Sequence, residues 1–568
     1  MEEVKRIPYG VSNFVEVVEQ NQYYVDKTMY LPLLEKQPSN LFFIRPRRFG
    51  KSIFLSMLRT YYDIAQKEKF EKRFSNLWIG SRPTQLQGTF QILFLDFSRV
   101  GGLDGTLAQN FDDYCCGGLD DFASIYEPYY YPGFEVEMKA QCGTTNKLNF
   151  LDRKARNNGS KLYLIVDEYD NFTNVVLNEQ GDKVYHALTH ASGFYREIFK
   201  KFKGMFERIF MTGVSPVTLD DLTSGFNIGW NISTDHQFNM MLGFSETDVR
   251  EMLQYYKDAG QLPDNVDIDV MIEEIRPWYD NYCFAEESLE RDPKMFNCDM
   301  VLYYLRNYMD LGKSPKEMID PNTRTDYNKM KKLIRLDKLD GNRKGVLRKI
   351  TEDGQIITTL TTTFPATDIT KPEIFPSLLF YYGMLTINGT RGPMNILSIP
   401  NQTVREQLYG YMIDIYKDSS GLNLEVEKLN ILMYEMAYEG DWNPYFEYIV
   451  ERLNNQSSIR EFIEGEAHVK AFILAYLGLN SYYIARPEYE SNKGYADIFL
   501  HPRLMQLPDM AYSYCIEVKY AKRDASDAEI KKLLSDAKTQ LKQYAASEWI
   551  RHDKGTTELK STALVFQE

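Results

Sequence analysis

The sequence has no long apolar run and few cysteines. Its longest apolar stretch, Ala471–Leu479, has nine residues, whereas a membrane-spanning helix needs about 20. The opening segment MEEVKRIPYG lacks the apolar core of a signal peptide. The six cysteines show neither CxxC metal spacing nor a dense disulfide pattern. We therefore expect a reduced, cytoplasmic protein with no membrane segment.

An excess of positive charge is also absent. The chain carries 66 basic and 80 acidic side chains, which give a formal net charge of -14. This balance excludes a uniformly cationic nucleic-acid-binding protein but allows a local basic surface. The segment Lys329–Lys349 holds nine basic residues against Asp337 and Asp340. It predicts either a local track for nucleic acid or a solvated helical face.

The length and composition indicate several folded domains. Hydrophobic residues make up 43% of the chain and charged residues 26%, as in globular proteins. With about 150 residues per domain, the 568 residues predict three or four domains. We expect an α/β domain with a parallel sheet over residues 1–285, a helical lid or winged-helix region over 286–424, and a small α/β domain over 425–568.

A helix followed by a hairpin is the pattern that favours a winged helix in the middle region. The apolar stretch Phe375–Thr386 predicts the helix, Asn388 and Gly389 predict the turn, and Ile396–Ile399 predicts the returning strand. A helix packed on any other hairpin would give the same pattern, so both alternatives stay open.

Short apolar runs in the first domain predict strands that are buried on both faces, as central parallel strands are. The candidates are Leu41–Ile44, Ile92–Phe97, Leu162–Val166 and Arg208–Thr212. The stretch Ser52–Ala65 has the apolar spacing of an amphipathic helix. A strand, a loop and then a helix is the order that a nucleotide-binding domain requires.

The loop after the first strand reads RPRRFGKS and resembles the phosphate-binding pattern G-x-x-x-x-G-K-[ST]. In such a loop backbone N–H groups cradle phosphates, the lysine reaches the β- and γ-phosphate oxygens, and the hydroxyl holds Mg²⁺. Arg45 stands where the pattern has its first glycine, and a chance helix start is the alternative for Gly-Lys-Ser alone. The loop arginines are equally compatible with contacts to nucleic acid or another subunit, or with solvent. The candidate ATP-binding residues are Arg45, Arg47, Arg48, Phe49, Gly50, Lys51 and Ser52.

Acidic residues end the third candidate strand, which is where a magnesium-binding partner of the loop belongs. Asp167 would hold Mg²⁺ through Ser52 or water, and Glu168 would polarise the attacking water. Thr212 or Ser215, at the end of the fourth strand, would lie near a γ-phosphate; a helix cap before Pro216 is an equal alternative. Asp96, at the end of the second strand, is similarly ambiguous.

The C-terminal domain carries a second pattern of charged residues. Glu517 and Lys519 alternate with apolar residues, so they share one face of a strand. The 19 residues between Asp497 and Glu517 allow a hairpin that joins the two carboxylates. Two carboxylates suit Mg²⁺, which polarises a phosphodiester and supplies hydroxide, while Lys519 orients water or stabilises charge. A surface ion pair is the common alternative for E-x-K alone.

Two helices flank this pair and extend the candidate site. Glu466, at the start of the helix GEAHVKAFILAYL, would complete the metal site, and Gln540, on the later helix AKTQLKQY, would position the backbone or water. Together with Asp497, Glu517 and Lys519, these two residues indicate a metal-dependent catalytic site more specifically than E-x-K does alone.

The segments YGVSNF, YYVDKT, RPRRFGKS, LIVDEYD and MTGVSPV resemble the AAA-ATPase-like proteins of gut Bacteroidetes. Those proteins carry a C-terminal nuclease-like domain of the PD-(D/E)XK superfamily, and the resemblance covers roughly residues 1–285 and 425–568. It implies that Arg45 is normal in this form of the loop. It also implies that Lys51 and Ser52 take nucleotide phosphates and Mg²⁺ and that Asp167 and Glu168 act as the Walker B acids.

In the nuclease-like half, the resemblance places Glu466, Asp497, Glu517 and Lys519 at the superfamily's core positions, whereas Lys470 stands where relatives often have histidine. The implied function is an ATPase coupled to Mg²⁺-dependent cleavage of DNA or RNA. The alternative is a nucleotide-switched module that binds nucleic acid or protein without efficient cleavage. Many ATPases of this type form rings with an arginine from the neighbouring subunit, so a homo-oligomer is a further expectation.

Overall fold

The structure, a computed structural model, describes residues 3–100, 107–170, 194–216, 229–323, 343–364, 371, 373–420, 425–454, 465–478, 480–491 and 494–567. It divides into two compact units, Met1–Asp310 with Thr358–Leu397, and Leu311–Ile357 with Ser398–Glu568. The limits at residues 285 and 424 stay predictions. Among the described helices, none combines the length and apolar character needed to cross a membrane.

A five-stranded parallel sheet forms the centre of the first unit. Its order is β2–β3–β4–β1–β5, and each neighbouring pair runs parallel. This confirms the predicted parallel sheet, and the short fifth strand is an addition that the sequence pattern did not indicate. The strands are β1 (Asn40–Ile44), β2 (Gln91–Asp96), β3 (Leu162–Asp167), β4 (Arg208–Gly213) and β5 (Trp230–Asn231).

Helices of the first unit precede, connect and follow these strands along the chain. They are α1 (Phe14–Glu19), α2 (Leu31–Glu35), α3 (Lys51–Tyr62), α4 (Phe70–Phe74), α5 (Leu107–Tyr126), α6 (Phe134–Lys139), α7 (Gly143–Asn158), α8 (Phe194–Met205), α9 (Glu246–Asp258), α10 (Ile268–Tyr279) and α11 (Cys298–Leu311). The predicted helix Ser52–Ala65 corresponds to α3, which directly follows the loop after β1. Its apolar side is fully covered, since Leu55, Met57 and Leu58 are at most 1% exposed.

The predicted helix and hairpin of the middle region are present with different limits. The helix α13 covers Phe375–Tyr381 and is followed by β7 (Thr386–Arg391) and β8 (Met394–Ser398). The turn predicted at Asn388 and Gly389 is wrong, because both lie inside β7. The chain reverses at Gly392, whose φ of 61° lies in the left-handed region that glycine adopts readily. The winged-helix assignment stays a prediction.

The second unit contains a four-stranded mixed sheet. Its order is β12–β11–β10–β9, with β9, β10 and β11 antiparallel and β11 parallel to β12. The predicted hairpin of strands around Asp497 and Glu517 is confirmed as β10 and β11. The strands are β9 (Tyr483–Ser491), β10 (Gly494–Pro502), β11 (Tyr512–Ala521) and β12 (Glu558–Gln567), and β6, which is not part of this sheet, covers Gln355–Thr358.

The helices of the second unit are α12 (Arg343–Asp353), α14 (Gln402–Ser420), α15 (Val426–Tyr434), α16 (Asn443–Asn454), α17 (Glu466–Leu477), α18 (Asp527–Ala545) and α19 (Glu548–Asp553). The first part of the basic segment Lys329–Lys349 lies outside the described residues, and its last part forms the start of α12. The apolar run that begins at Ala471 lies in α17, and every residue from Ala471 to Leu477 is at most 1% exposed.

Candidate functional site

The loop between β1 and α3 holds the predicted phosphate-binding lysine. Gly50 precedes α3 with a φ of 85°, a left-handed conformation that glycine adopts without a Cβ clash. The Lys51 ammonium is buried and donates to the carbonyl oxygens of Arg45 at 2.9 Å and Pro46 at 2.7 Å. Burial lowers the pKa of Lys51 to about 8, while the nearby carboxylates of Glu168 and Asp167 oppose this shift. The cation therefore lies at a helix N-terminus, which itself favours anions.

Ser52 and Asp167 meet although they are far apart in sequence. The Ser52 hydroxyl donates to Asp167 Oδ2 at 2.8 Å, and the Glu168 N–H donates to Asp167 Oδ1 at 2.9 Å. Burial raises the pKa of Asp167 to about 6, although the hydrogen bond from Ser52 opposes the shift. Asp96 on β2 is the register partner of Asp167 on β3, so a second carboxylate lies at the same edge of the sheet. The loop hydroxyl and the strand acid thus meet as the phosphate-loop interpretation requires.

Glu168 and Arg47 face each other beside this pair. Glu168 has a φ of 45°, a left-handed conformation that is uncommon for residues other than glycine. An Arg47 guanidinium nitrogen lies 3.8 Å from a Glu168 carboxylate oxygen, and both side chains are about one quarter exposed. Arg47 is therefore the loop arginine that faces the acidic end of β3.

Arg45 points away from the acidic end of the sheet. Its guanidinium donates to the carbonyl oxygens of Ile44 at 2.9 Å, Ser233 at 2.6 Å and Phe238 at 3.0 Å. The rings of Phe43 and Phe284 lie 4.3 and 4.2 Å from the guanidinium carbon. The side chain is 1% exposed, and burial lowers its pKa to about 9. The expected contact of this side chain with phosphate does not agree with the geometry; Arg45 anchors the loop instead.

Arg48 and Phe49 are also committed to the protein. An Arg48 guanidinium nitrogen lies 2.6 Å from an Asp299 carboxylate oxygen. Phe49 is 1% exposed and meets the rings of Tyr282 and Phe284 edge-on, with centroids 4.8 and 5.4 Å apart. The geometry therefore does not favour the expected contact of these two side chains with phosphate. The backbone N–H groups of the loop stay the predicted phosphate ligands.

Thr212 is the last residue but one of β4, which lies between the loop strand β1 and the acid-bearing strand β3. Its register partner is Phe43 on β1. The Thr212 hydroxyl oxygen is buried and has no hydrogen-bond partner among the residues that the structure describes. An unpaired buried hydroxyl costs free energy, so this atom is a candidate for ligand contact.

Asp170 and Tyr169 fasten the turn after Thr212, and the sequence analysis gave them no role. The Asp170 carboxylate accepts the N–H groups of Val214 at 3.1 Å and Ser215 at 2.7 Å, and the Tyr169 hydroxyl donates to the Ser215 carbonyl at 2.7 Å. Burial raises the pKa of Asp170 to about 6, and the charge of Glu168 adds to the shift. The only hint in the sequence is their place directly after the Asp167-Glu168 pair.

In the second unit, two carboxylates lie on adjacent strands. Ile498 on β10 pairs with Ile516 on β11, and this antiparallel register brings Asp497 beside Glu517. Asp497 Oδ2 accepts the Val518 N–H at 2.8 Å, and the side chains of Asp497 and Glu517 are 10% and 2% exposed. The predicted hairpin therefore brings both acids together inside the fold.

Lys519 lies on the same face and contacts Glu517. Its ammonium donates to Glu517 Oε1 at 2.7 Å, while Glu517 Oε2 is buried without a hydrogen-bond partner among the described residues. Burial raises the pKa of Glu517; the hydrogen bond from Lys519 opposes this, and the charge of Asp497 adds to it. For Lys519 burial lowers the pKa, but the hydrogen bond to Glu517 raises it overall.

Glu466 and Gln540 occupy the flanks of this pair. Glu466 is the first residue of α17, and its negative charge acts on Lys519. Within the described part of the chain, no three His, Cys, Asp or Glu side chains form a group that could hold a metal, so Glu466 does not complete a three-carboxylate cluster. The Gln540 side-chain oxygen is buried without a partner among the described residues, as a water-positioning group would be.

Lys470 makes contacts that the sequence analysis missed. Its ammonium donates to Asp497 Oδ1 at 2.7 Å and to Glu488 Oε1 at 2.6 Å. Burial lowers the pKa of Lys470, but the hydrogen bonds to Asp497 and Glu488 outweigh it and raise the pKa overall. The only sign of Lys470 in the sequence is its departure from the histidine that relatives often have, and no pattern in the sequence points to Glu488.

Comparison with known proteins bears on both units. Residues 8–223 match the family described as "Predicted AAA-ATPase", and residues 464–568 match the family described as "PD-(D/E)XK nuclease superfamily". Below, the part of the chain around the first match is called the AAA-ATPase-like domain, and the part around the second match is called the nuclease-like domain.

One curated relative and several solved structures resemble the chain. An "Uncharacterized protein in vnfD 5'region" of Azotobacter chroococcum mcd 1 is 28% identical over 290 residues, which cover 50% of this chain and 50% of that protein. The chain thus spans about half the length of the curated relative it matches.

The solved structures are more distant. Cdc6p of Pyrobaculum aerophilum is 11% identical, with 68% of this chain and 92% of that chain covered and a TM-score of 0.26. The ORC2 protein of Aeropyrum pernix is 10% identical, with 69% and 92% covered and a TM-score of 0.31. These similarities are too weak to support an argument about function.

The residues of the AAA-ATPase-like and nuclease-like domains fit Mg²⁺ as a ligand. Hydroxyl and carboxylate oxygens are the donors that Mg²⁺ prefers, and it commonly takes one or two carboxylates and keeps several waters. Ser52 with Asp167 supplies such a set in the first domain. Asp497 with Glu517, whose Oε2 lacks a partner among the described residues, supplies another in the second.

Proposed function

We propose that the protein binds and hydrolyses ATP and couples its nucleotide state to Mg²⁺-dependent phosphodiester cleavage of nucleic acid. The observation that carries the proposal is that each unit brings together a set of chemically matched side chains. In the AAA-ATPase-like domain these are Lys51, Ser52 and the Asp167-Glu168 pair. In the nuclease-like domain they are Asp497, Glu517 and Lys519.

For ATP, backbone N–H groups of the loop and the Lys51 ammonium would bind the phosphates. Ser52 and Asp167 would hold Mg²⁺, which neutralises charge on the phosphates. Glu168 would polarise the attacking water and act as its general base. The unpaired hydroxyl of Thr212 would donate to a phosphate oxygen or to that water.

For the phosphodiester, Asp497 and Glu517 would hold Mg²⁺, which polarises the phosphate and lowers the pKa of bound water. Lys519 would place its ammonium where negative charge develops on the phosphate. Gln540 would position the nucleic-acid backbone or a water through its side-chain amide. A catalytic role of Glu466 and a homo-oligomer stay predictions.

The second candidate function is a nucleotide-switched binding module without efficient cleavage. The observation in its favour is that both Asp497 oxygens already accept hydrogen bonds, one from Lys470 and one from the Val518 N–H. A protein that binds nucleic acid or a partner protein in response to ATP, with a silent nuclease-like domain, would have this feature.

Cleavage assays separate the two functions. The full chain would be incubated with single- and double-stranded DNA and RNA in Mg²⁺ or Mn²⁺, beside Asp497→Ala and Glu517→Ala. Metal-dependent cleavage that both variants lose supports the nuclease. Cleavage that both variants keep places the catalyst elsewhere, and binding without cleavage by any protein favours the switched module.

A matched pair of variants tests the ATPase half. Glu168→Gln should retain ATP binding and lose hydrolysis, because the amide still accepts a hydrogen bond but cannot act as a base. Glu207→Gln makes the same acid-to-amide change at a half-exposed carboxylate just before β4 and is the matched control. Normal hydrolysis by Glu168→Gln would contradict the role assigned to Glu168.

A further inference from the structure

Lys470 is a cation bound inside the candidate nuclease site. It lies on α17, is 8% exposed, and donates to Asp497 Oδ1 at 2.7 Å and to Glu488 Oε1 at 2.6 Å. The other Asp497 oxygen accepts the Val518 N–H at 2.8 Å. The Lys470 ammonium is therefore bound to the Asp497 carboxylate, which the proposed function assigns to Mg²⁺.

The two acidic partners of Lys470 differ in burial. The side chain of Asp497 is 10% exposed and that of Glu488 is 46% exposed. A divalent ion at Asp497 would repel the ammonium at short range, and this repulsion is strong where water is largely excluded. Glu488 is an acceptor to which Lys470 can remain bound when it leaves Asp497.

The backbone of β9 is distorted at Glu488. Tyr489 pairs with Ala496, and Pro487 pairs with Ile498, so Glu488 lies opposite Asp497 in the register. Glu488 has a φ of 45°, a conformation that is strained for a residue other than glycine and that clusters at functional sites. This distortion occurs at the one strand position that faces Asp497, where it accompanies the contact of Glu488 with Lys470.

We propose that Lys470 is a resident counter-ion of the nuclease-like site, which neutralises Asp497 until a divalent metal displaces it onto Glu488. The inference rests on the proposed metal site at Asp497 and Glu517. Lys470 is thus a positioning residue: it lowers the affinity of the site for metal, and Glu488 limits that loss by retaining the displaced ammonium.

Binding of Mn²⁺ to the full chain without nucleotide or nucleic acid tests the proposal. Electron paramagnetic resonance would measure the affinity, and the signal that Glu517→Ala removes is assigned to this site. Lys470→Met keeps the length of the side chain and removes its charge, and Lys470→Arg keeps the charge. Lys538→Met removes an exposed charge on α18 and is the matched control.

We expect Lys470→Met to bind Mn²⁺ about 10- to 100-fold more tightly than the wild type, which is the size of effect that neighbours of metal ligands have. Lys470→Arg and Lys538→Met should stay close to the wild-type affinity. Glu488→Gln should bind Mn²⁺ more weakly, because Lys470 then has Asp497 as its remaining carboxylate partner.

Equal or weaker Mn²⁺ binding by Lys470→Met, with the Glu517-dependent site intact, would overturn the inference and leave the proposed function standing. An equal gain in Lys538→Met would also overturn it, because the effect would then be one of overall charge. If neither the wild type nor any of these variants shows Mn²⁺ binding that depends on Glu517, the proposed metal site is wrong and the inference fails with it. If Lys470→Met does not fold, as judged by circular dichroism, tighter or unchanged binding by Glu488→Gln overturns the proposal.

Discussion

Replacing Arg45 by glycine restores the standard phosphate-loop pattern, and we expect it to destabilise the AAA-ATPase-like domain without improving ATP binding. The reason is that the guanidinium is 1% exposed and donates to three carbonyl oxygens while lying between two aromatic rings. Its removal takes a charged donor from each of these three carbonyl oxygens, of which that of Phe238 also accepts the Met241 N–H at 3.2 Å.

The magnitude follows from these contacts. Each hydrogen bond from a charged donor contributes about 1.5–3 kcal/mol, and each ring contact contributes about 0.5–1 kcal/mol. Burial of the guanidinium offsets several kcal/mol of this sum, since no carboxylate pairs with Arg45 among the described residues. We expect the free energy of unfolding to fall by about 2–4 kcal/mol, or the Tm by roughly 5–10 °C.

Calorimetry on the full chain measures this effect, and the transition that shifts with a non-hydrolysable ATP analogue identifies the AAA-ATPase-like domain. Titration of the analogue at 25 °C gives its affinity. Arg47→Gly is the matched control: Arg47 is partly exposed and faces Glu168, so this change should leave the Tm nearly unaltered and weaken nucleotide binding. An Arg45→Gly variant that keeps the wild-type Tm but loses most nucleotide affinity would refute the anchoring role.

Three further predictions concern both domains. Lys51→Ala should abolish ATP binding, because it removes the buried cation of the loop; tight binding in a titration would reject the phosphate-loop assignment. Asp170→Ala should lower the free energy of unfolding by about 1–3 kcal/mol, because buried N–H groups lose their acceptor. It should also reduce kcat for ATP more than it raises KM, and an unchanged kcat would show that the turn after Thr212 is not needed for hydrolysis. Burial lowers the pKa of His501 to about 4, below its ordinary value of about 6.5. The contribution of neutral His501 to the free energy of unfolding is therefore complete above about pH 6.5 and is lost as the pH falls through 4. In urea unfolding, His501→Gln should remove up to about 3 kcal/mol of this pH dependence, and an unaltered pH profile would contradict the assignment.

The main features of the fold could be predicted because they depend on local patterns. Continuous apolar runs marked β1 to β4, and acidic residues directly after a buried run marked the edge where Asp167 meets Ser52. The period of two in β11 placed Glu517 and Lys519 on one face, and the short connection to β10 brought Asp497 beside them. These features follow from spacing along the chain alone.

The features that could not be predicted depend on contacts between distant segments. The anchoring of Arg45 requires the carbonyl oxygens of Ser233 and Phe238, which lie 188 and 193 residues further along the chain. Similarly, the pairing of Lys470 with Glu488 joins residues 18 positions apart and is accompanied by a backbone distortion in β9 that no residue preference indicates. The hairpin turn was misplaced because Asn-Gly is a strong turn signal, yet the chain reverses at Gly392.

Cleavage of nucleic acid by the full chain, with and without ATP, tests the proposed coupling most directly. The panel of DNA and RNA would be incubated in Mg²⁺ with the wild type, Glu168→Gln and Glu517→Ala. We expect metal-dependent cleavage by the wild type that changes with ATP, an altered ATP response in Glu168→Gln, and no cleavage by Glu517→Ala. Cleavage that is the same with and without ATP in the wild type and in Glu168→Gln would contradict the coupling of the two domains.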